Sequence, residues 1–158
     1  MIVVSDTSVI TNLVQIDQLT LLKALFGNIV IPQKVYDELT KVPKQIELIE
    51  RLNWIEVKQI SDRTHFDNLL KTLDPGEAEA IVLAIELEAD ALLIDEKKGR
   101  KIAQEHGIII TGLLGILIIA KTENLISEVK PILDKLIFET GFRINPKLYQ
   151  DILKKVDE

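Results

Sequence analysis

A short apolar run, Ile2-Val3-Val4, stops at Asp6 and is followed by two hydroxyls, Thr7 and Ser8. A run that is continuously apolar and mostly β-branched suits a strand buried on both faces, which occurs almost only where helices cover a parallel sheet from both sides. Thr7 and Ser8 then open a helix as capping hydroxyls. Asp6 falls at the carboxyl end of a central strand, the place where ligands bind in open α/β sheets. Asp is also a common helix cap, so its role turns on what else reaches the same rim.

The same grammar repeats along the chain. Val9-Ile10 and Leu13-Val14 recur with helical spacing, and Leu19, Leu21-Leu22 and Leu25 continue a second short helix that ends at Gly27. Ile29-Val30-Ile31 is a second buried strand. After Pro32, Val35, Leu39 and Val42 form a stripe with Glu38 beside it. Pro43 to Arg51 is expected to be a surface helix, Trp54 to Val57 a third strand and Ser61 to Leu73 a further helix. Asp74-Pro75-Gly76-Glu77-Ala78-Glu79-Ala80 opens a helix apolar on most sides, which marks it as buried. Ala91 to Ile94 is a fourth strand, and it too stops at acids, Asp95 and Glu96. A basic helix start (Lys97, Lys98, Arg100, Lys101), a fifth strand at Ile108 to Ile110, and helices over Leu113 to Thr122, Ile126 to Thr140 and from Asn145 complete the chain.

Strands alternating with helices imply parallel pairing through right-handed crossovers. The expected fold is α/β, a three-layer α/β/α domain around a central parallel sheet of roughly five strands. The 158 residues suit a single domain, with a C-terminal helical extension from about residue 123. Hydrophobic residues make up 47% and aromatic residues 4%, so the core is built mainly from Ile, Leu, Val and Ala.

Composition also narrows function. A formal charge of −6 leaves no global basic surface, so any nucleic acid must be met by a local patch or a bound metal. The absence of cysteine removes disulfides, thiolate metal sites and a Cys nucleophile, and a reducing cytoplasm is the expected location. Asp6 interrupts any signal-peptide pattern, and the apolar stretch Ile108 to Ala120 is too short to span a bilayer, which takes about 20 residues.

Two strands ending in carboxylates, Asp6 and Asp95, meet at one rim if those strands are neighbours. Glu38 and Glu77, each near a helix start, can lean toward that rim. Converging carboxylates repel and raise one another's pKa, and a hard divalent cation, Mg²⁺ or Mn²⁺, resolves the conflict. Such an ion supports phosphodiester hydrolysis, and the Lys97, Lys98, Arg100 and Lys101 cluster adds positive potential for a polyanion. Other roles compete for each residue. Asp74 and Glu77 have capping-box spacing with Pro75 at the first helical position. Glu79 lies about 200° around the helix from Glu77 and is expected to be solvated. Glu38 has the placement of a surface charge, His65 and His106 look like isolated polar residues, and Trp54 and Phe66 like packing.

Asp6-Thr7-Ser8 after a first strand, Ile31-Pro32 with Val35 and Glu38, Gly76-Glu77-Ala78-Glu79-Ala80, Leu93-Ile94-Asp95 and Thr111-Gly112-Leu113-Leu114-Gly115 together resemble a PIN domain over essentially the whole chain. They are especially similar to the small prokaryotic VapC-like group. The resemblance implies a metal-dependent ribonuclease, a hydrolase directed at single-stranded RNA, often the toxin of a toxin–antitoxin pair with a small antitoxin protein as partner. By position it makes Asp6, Glu38 and Asp95 metal ligands and Ser8 a neighbouring polar residue, with the remaining acid on Glu77 or Glu79 and with Glu96 an alternative to Asp95. From their charge at a helix start, where cations oppose the macrodipole, Lys97, Lys98 and Arg100 are expected to contact the substrate. A homodimer is expected, with Leu113 to Ala120 as either dimer surface or core.

Two other classes compete. A non-catalytic PIN-like interaction or RNA-binding module would need no bound metal. An Asp-dependent phosphatase would use a strand-end Asp as nucleophile, but Ser8 stands where haloacid-dehalogenase-like enzymes carry a second Asp, and no Gly-rich phosphate loop is present.

Overall fold

The computed structural model describes residues 1–158. Five strands, β1 (Val3–Ser5), β2 (Ile29–Pro32), β3 (Ile55–Lys58), β4 (Ala91–Leu93) and β5 (Ile110–Thr111), form one all-parallel sheet in the order β3-β2-β1-β4-β5. The helices are α1 (Thr7–Gln15), α2 (Thr20–Phe26), α3 (Gln33–Leu39), α4 (Pro43–Arg51), α5 (Arg63–Leu69), α6 (Pro75–Glu86), α7 (Lys97–Glu105), α8 (Leu113–Thr122), α9 (Lys130–Thr140) and α10 (Pro146–Lys155). The expected α/β architecture with a parallel five-stranded sheet is borne out. No helix is long and apolar enough to cross a membrane.

Successive strand residues alternate between two cores, so both faces of the sheet are covered. Val3, Ile29, Ile31 and Leu93 point into the larger core with α1, α2, α8, α9 and α10. Val4, Val30, Leu92 and Ile94 point into the smaller one with α5, α6 and α7. All of these strand residues except Val30, at 8% exposure, are fully buried, which is why the runs read as continuously apolar.

The order of the strands creates the site. From β1 the chain winds outward through β2 to β3, then α5 and α6 carry it back across the sheet to β4 on the other flank of β1. The winding reverses between β1 and β4, and the crevice at the carboxyl ends of those two strands is the topological switch point. Ser5 pairs with Leu93 there, and the Asp6 N–H donates to the Leu93 carbonyl at 3.0 Å.

Element ends differ from expectation where tertiary contacts decide them. The fifth strand is only Ile110–Thr111; Ile109, whose side chain is exposed, joins the ladder only through its carbonyl, which accepts the Leu92 N–H at 2.8 Å. The helix expected from Ile126 begins at Lys130, with Pro131 near its start, a position that needs no N–H. Glu158 completes that start, accepting from the Val129 and Lys130 N–H groups at 2.7 and 2.9 Å while pairing with Lys121. In α8, Leu113, Ile116, Leu117 and Ala120 are fully buried in the larger core.

Candidate active site

Three of the four acids singled out by sequence line one cleft. Asp6 sits where β1 gives way to α1 and caps that helix, its Oδ1 accepting the Val9 N–H at 3.2 Å and its Oδ2 the Ser8 hydroxyl at 3.3 Å. It is 2% exposed, and its pKa is pushed up to about 7. Burial is the main cause, and the charges of Asp95 and Asp74 add to it against the pull of the Val9 and Ser8 hydrogen bonds.

Glu77 lies in the first turn of α6. Asp74 caps that helix by accepting the Glu77 N–H at 3.0 Å, as the spacing implied. The Glu77 side chain does not return that bond to the Asp74 N–H, and its Oε2 is buried without a hydrogen-bond partner. Burial first, then the Asp74 carboxyl, then the charges of Asp6 and Glu96 push its pKa up to about 8. Glu38, half-buried on α3, accepts a hydrogen bond from the Thr7 hydroxyl. Its carboxylate lies against the start of α6, where a Cβ on Gly76 would stand 2.6 and 2.7 Å from its two oxygens. Glycine at position 76 thus leaves room for the Glu38 carboxylate to lie against the start of α6.

Asp74, Glu96, Thr7, Ser8, Thr11 and Asn12 complete the wall of this cleft, whose volume is about 330 Å³. None of its lining residues is hydrophobic, and none is a cation. Thr7, Thr11 and Asn12 were not foreseen as site residues. The i, i+4 spacing of Thr7 and Thr11 on a helix that starts at the site was the signal for them.

Asp95 behaves differently from expectation. It reaches the same rim, and its charge is felt at Asp6. However, its Oδ1 accepts the Leu113 N–H at 3.0 Å and so caps α8, while its Oδ2 is buried and unpartnered. Its side chain packs where a Cβ on Gly112 would lie and lines the neighbouring groove. Burial raises its pKa, opposed by the Leu113 hydrogen bond and the Arg100 charge. Its successor Glu96 is the one that lines the acid cleft.

Glu79 is turned away from the cleft, and the expectation that it is solvated is corrected. It is 1% exposed, accepts the Lys34 N–H at 2.9 Å and pairs with Arg63 at 2.9 Å. Both partners lie far away in sequence, so periodicity could not reveal them. Of the basic cluster, Lys97, Arg100 and Lys101 line the groove beside Asp95, whereas Lys98 is exposed and lines neither cleft nor groove. His65 and His106 are not isolated from each other, since their rings lie 5.2 Å apart between centroids, tilted by 41°. Trp54 and Phe66 are core residues, as expected.

No three His, Asp or Glu side chains stand close enough to close on a single ion. The donors nonetheless suit a hard divalent cation: every potential ligand is oxygen, and the Glu77 Oε2 has no other partner. Mg²⁺ is held by only one or two direct carboxylates and keeps its remaining waters, so a closed protein cage is not required.

A parallel sheet with a carboxylate-lined cleft at its switch point places the molecule among open α/β domains with an acidic crevice at the carboxyl ends of the strands. A family model described as PIN domain matches residues 2–158, and the chain belongs to the PIN-domain family. PIN domains are generally nucleases, hence hydrolases, and generally use divalent metal ions. No curated protein matches the chain.

Proposed function

We propose that this chain is a Mg²⁺- or Mn²⁺-dependent endoribonuclease that hydrolyses phosphodiester bonds in single-stranded RNA. In this reading it is a VapC-like toxin of the cytoplasm, neutralised by a small antitoxin protein and active as a homodimer. The observation that supports it is the composition of the cleft at the switch point: five carboxyl groups, four neutral polar side chains, no apolar residue and no cation.

Asp6, Glu38 and Glu77 would hold the ion, with Asp95 and Glu96 beside them. A divalent ion held there would supply a bound water of lowered pKa and positive charge facing the attacked phosphate. The chain's own residues set the frame. Val9 and Ser8 fix the orientation of Asp6, and Thr7 steadies Glu38 against Gly76. Thr11 and Asn12 line the cleft as neutral hydrogen-bonding groups, which suit phosphate or ribose oxygens without adding charge repulsion. A second reading, a non-catalytic interaction module, is favoured by one feature, the turn of Asp95 toward α8.

The test is cleavage of a labelled single-stranded RNA by purified protein with Mg²⁺, Mn²⁺ or EDTA, beside Asp6→Asn. Cutting that needs the metal and is lost in the variant is the expected result. No cutting by the wild type under any of these conditions overturns the nuclease and leaves the interaction module.

A further inference from the structure

Beside the acid cleft runs a second depression of opposite character. It encloses about 900 Å³, against about 330 Å³ for the cleft, and carries five cations, Lys97, Arg100, Lys101, Arg143 and Lys155, against the one carboxylate of Asp95. In a chain of net charge −6, this concentration needs an explanation. None of the five forms an ion pair within 4.0 Å, and only Arg100, which donates to the Ile94 carbonyl at 3.3 Å, is engaged in a hydrogen bond. Lys97, Lys101, Arg143 and Lys155 are exposed, so their charges are available to a ligand.

We propose that this groove is the track for the flanking part of a single-stranded nucleic acid whose scissile phosphate lies in the acid cleft. The inference rests on the nuclease reading and extends it to the corner between α9 and α10. Continuity favours it: consecutive residues Asp95 and Glu96 line the groove and the cleft, so a strand leaving one enters the other. The chemistry favours it as well. Guanidinium and ammonium groups on the walls suit phosphates, and Phe142 with Ile118 on the lining offers apolar and aromatic surface to bases. Arg143, in the connection between α9 and α10, and Lys155, the last residue of α10, are remote in sequence from the basic run at the start of α7, so only the fold brings the five together.

The probe is a short labelled oligoribonucleotide followed by fluorescence anisotropy in EDTA, where no metal-dependent cleavage occurs. The protein is compared with the double variant Arg143→Ala/Lys155→Ala and with Lys44→Ala, an exposed α4 lysine outside the groove. The expected result is binding weakened about tenfold or more in the double variant, with the dependence of log affinity on log salt shallower by about 1.4 for two lost phosphate contacts, and no change in Lys44→Ala. Equal binding and equal salt dependence in the double variant overturn the track. Displacement of the oligonucleotide by an Asp- and Glu-rich peptide of the same charge, at equal affinity, overturns the assignment to nucleic acid. Groove-dependent binding without any metal-dependent cutting removes the nuclease and keeps the groove. Cutting that is indifferent to the double variant does the reverse.

Discussion

Glu77 and Glu79 stand two residues apart on α6, are 9% and 1% exposed, and live in opposite surroundings. Glu79 is fully answered by the protein, with the Lys34 N–H on one oxygen and the Arg63 guanidinium on the other. Glu77 faces other carboxylates across the cleft and keeps one oxygen without a partner. Buried charge that finds its partners within the chain is architecture. A buried carboxyl that the chain leaves unpaired is held protonated, as the raised pKa of Glu77 reflects, and ionises readily only when a cation from outside the chain offsets the cost of charge in a low dielectric. That difference, more than the presence of acids, singles out the cleft as the candidate site.

Exchanging the two roles is the sharpest way to break the comparison. Glu77→Gln is expected to lower metal-dependent RNA cleavage about a hundredfold or more, at or beyond the upper end of losses seen for groups around a metal. The same change should leave the melting temperature of the metal-free protein near pH 8 unchanged or raised, since it removes a repelled carboxylate. Glu79→Ala is expected to do the opposite. It costs about 1–3 kcal/mol in denaturant titration, because it orphans the Lys34 N–H, while cleavage per folded molecule stays within about threefold. A Glu79→Ala protein of undiminished stability would remove the contrast.

The raised carboxyls also give a pH dependence with a definite sign. Asp6 and Glu77 titrate near 7 and 8 in the folded chain against ordinary values of 3.8 and 4.5, so in that interval the native state binds more protons than the unfolded one. Their contribution is fully present below about pH 4 and is lost as pH rises through about 7 to 8. Thermal melts in EDTA should therefore fall between about pH 5 and pH 8, with a shallower fall in Asp6→Asn. Mn²⁺ should restore stability at the alkaline end, since a ligand of the folded state alone stabilises it. The smallest effect is expected from Gly76→Ala, whose new methyl displaces the flexible Glu38 carboxylate. Activity should drop about tenfold with little change in melting temperature.

Much of this was legible in the residues. Ile2 to Val4, Ile29 to Ile31 and Ala91 to Ile94 announced buried strands, and the hydroxyls after Asp6 and the Asp74-Pro75 pair announced helix starts. Asp6 and Glu77 were found because one falls at the end of a strand and the other in the first turn of a helix, whereas Glu38, expected near a helix start, stands next to last in α3 and reaches the cleft from that helix's far end. What sequence could not reveal depended on partners remote in the chain. The burial of Glu79 required Lys34 and Arg63. The turn of Asp95 toward α8 depended on the space above Gly112 and the free N–H of Leu113. The groove needed Arg143 and Lys155 beside α7. Local pattern carries element type and strand ends, whereas side-chain pairing across 16 to 45 residues, as at Glu79, is decided by packing.

Calorimetric titration of Mn²⁺ into the purified protein near neutral pH, beside the same titration of Glu77→Gln, addresses the unpaired carboxylates most directly. Saturable binding by the wild type, accompanied by proton release and lost or strongly weakened in Glu77→Gln, is the expected result. Wild-type protein that takes up no ion, or a variant that binds as tightly as the parent, would contradict the assignment of the cleft as a divalent-metal site.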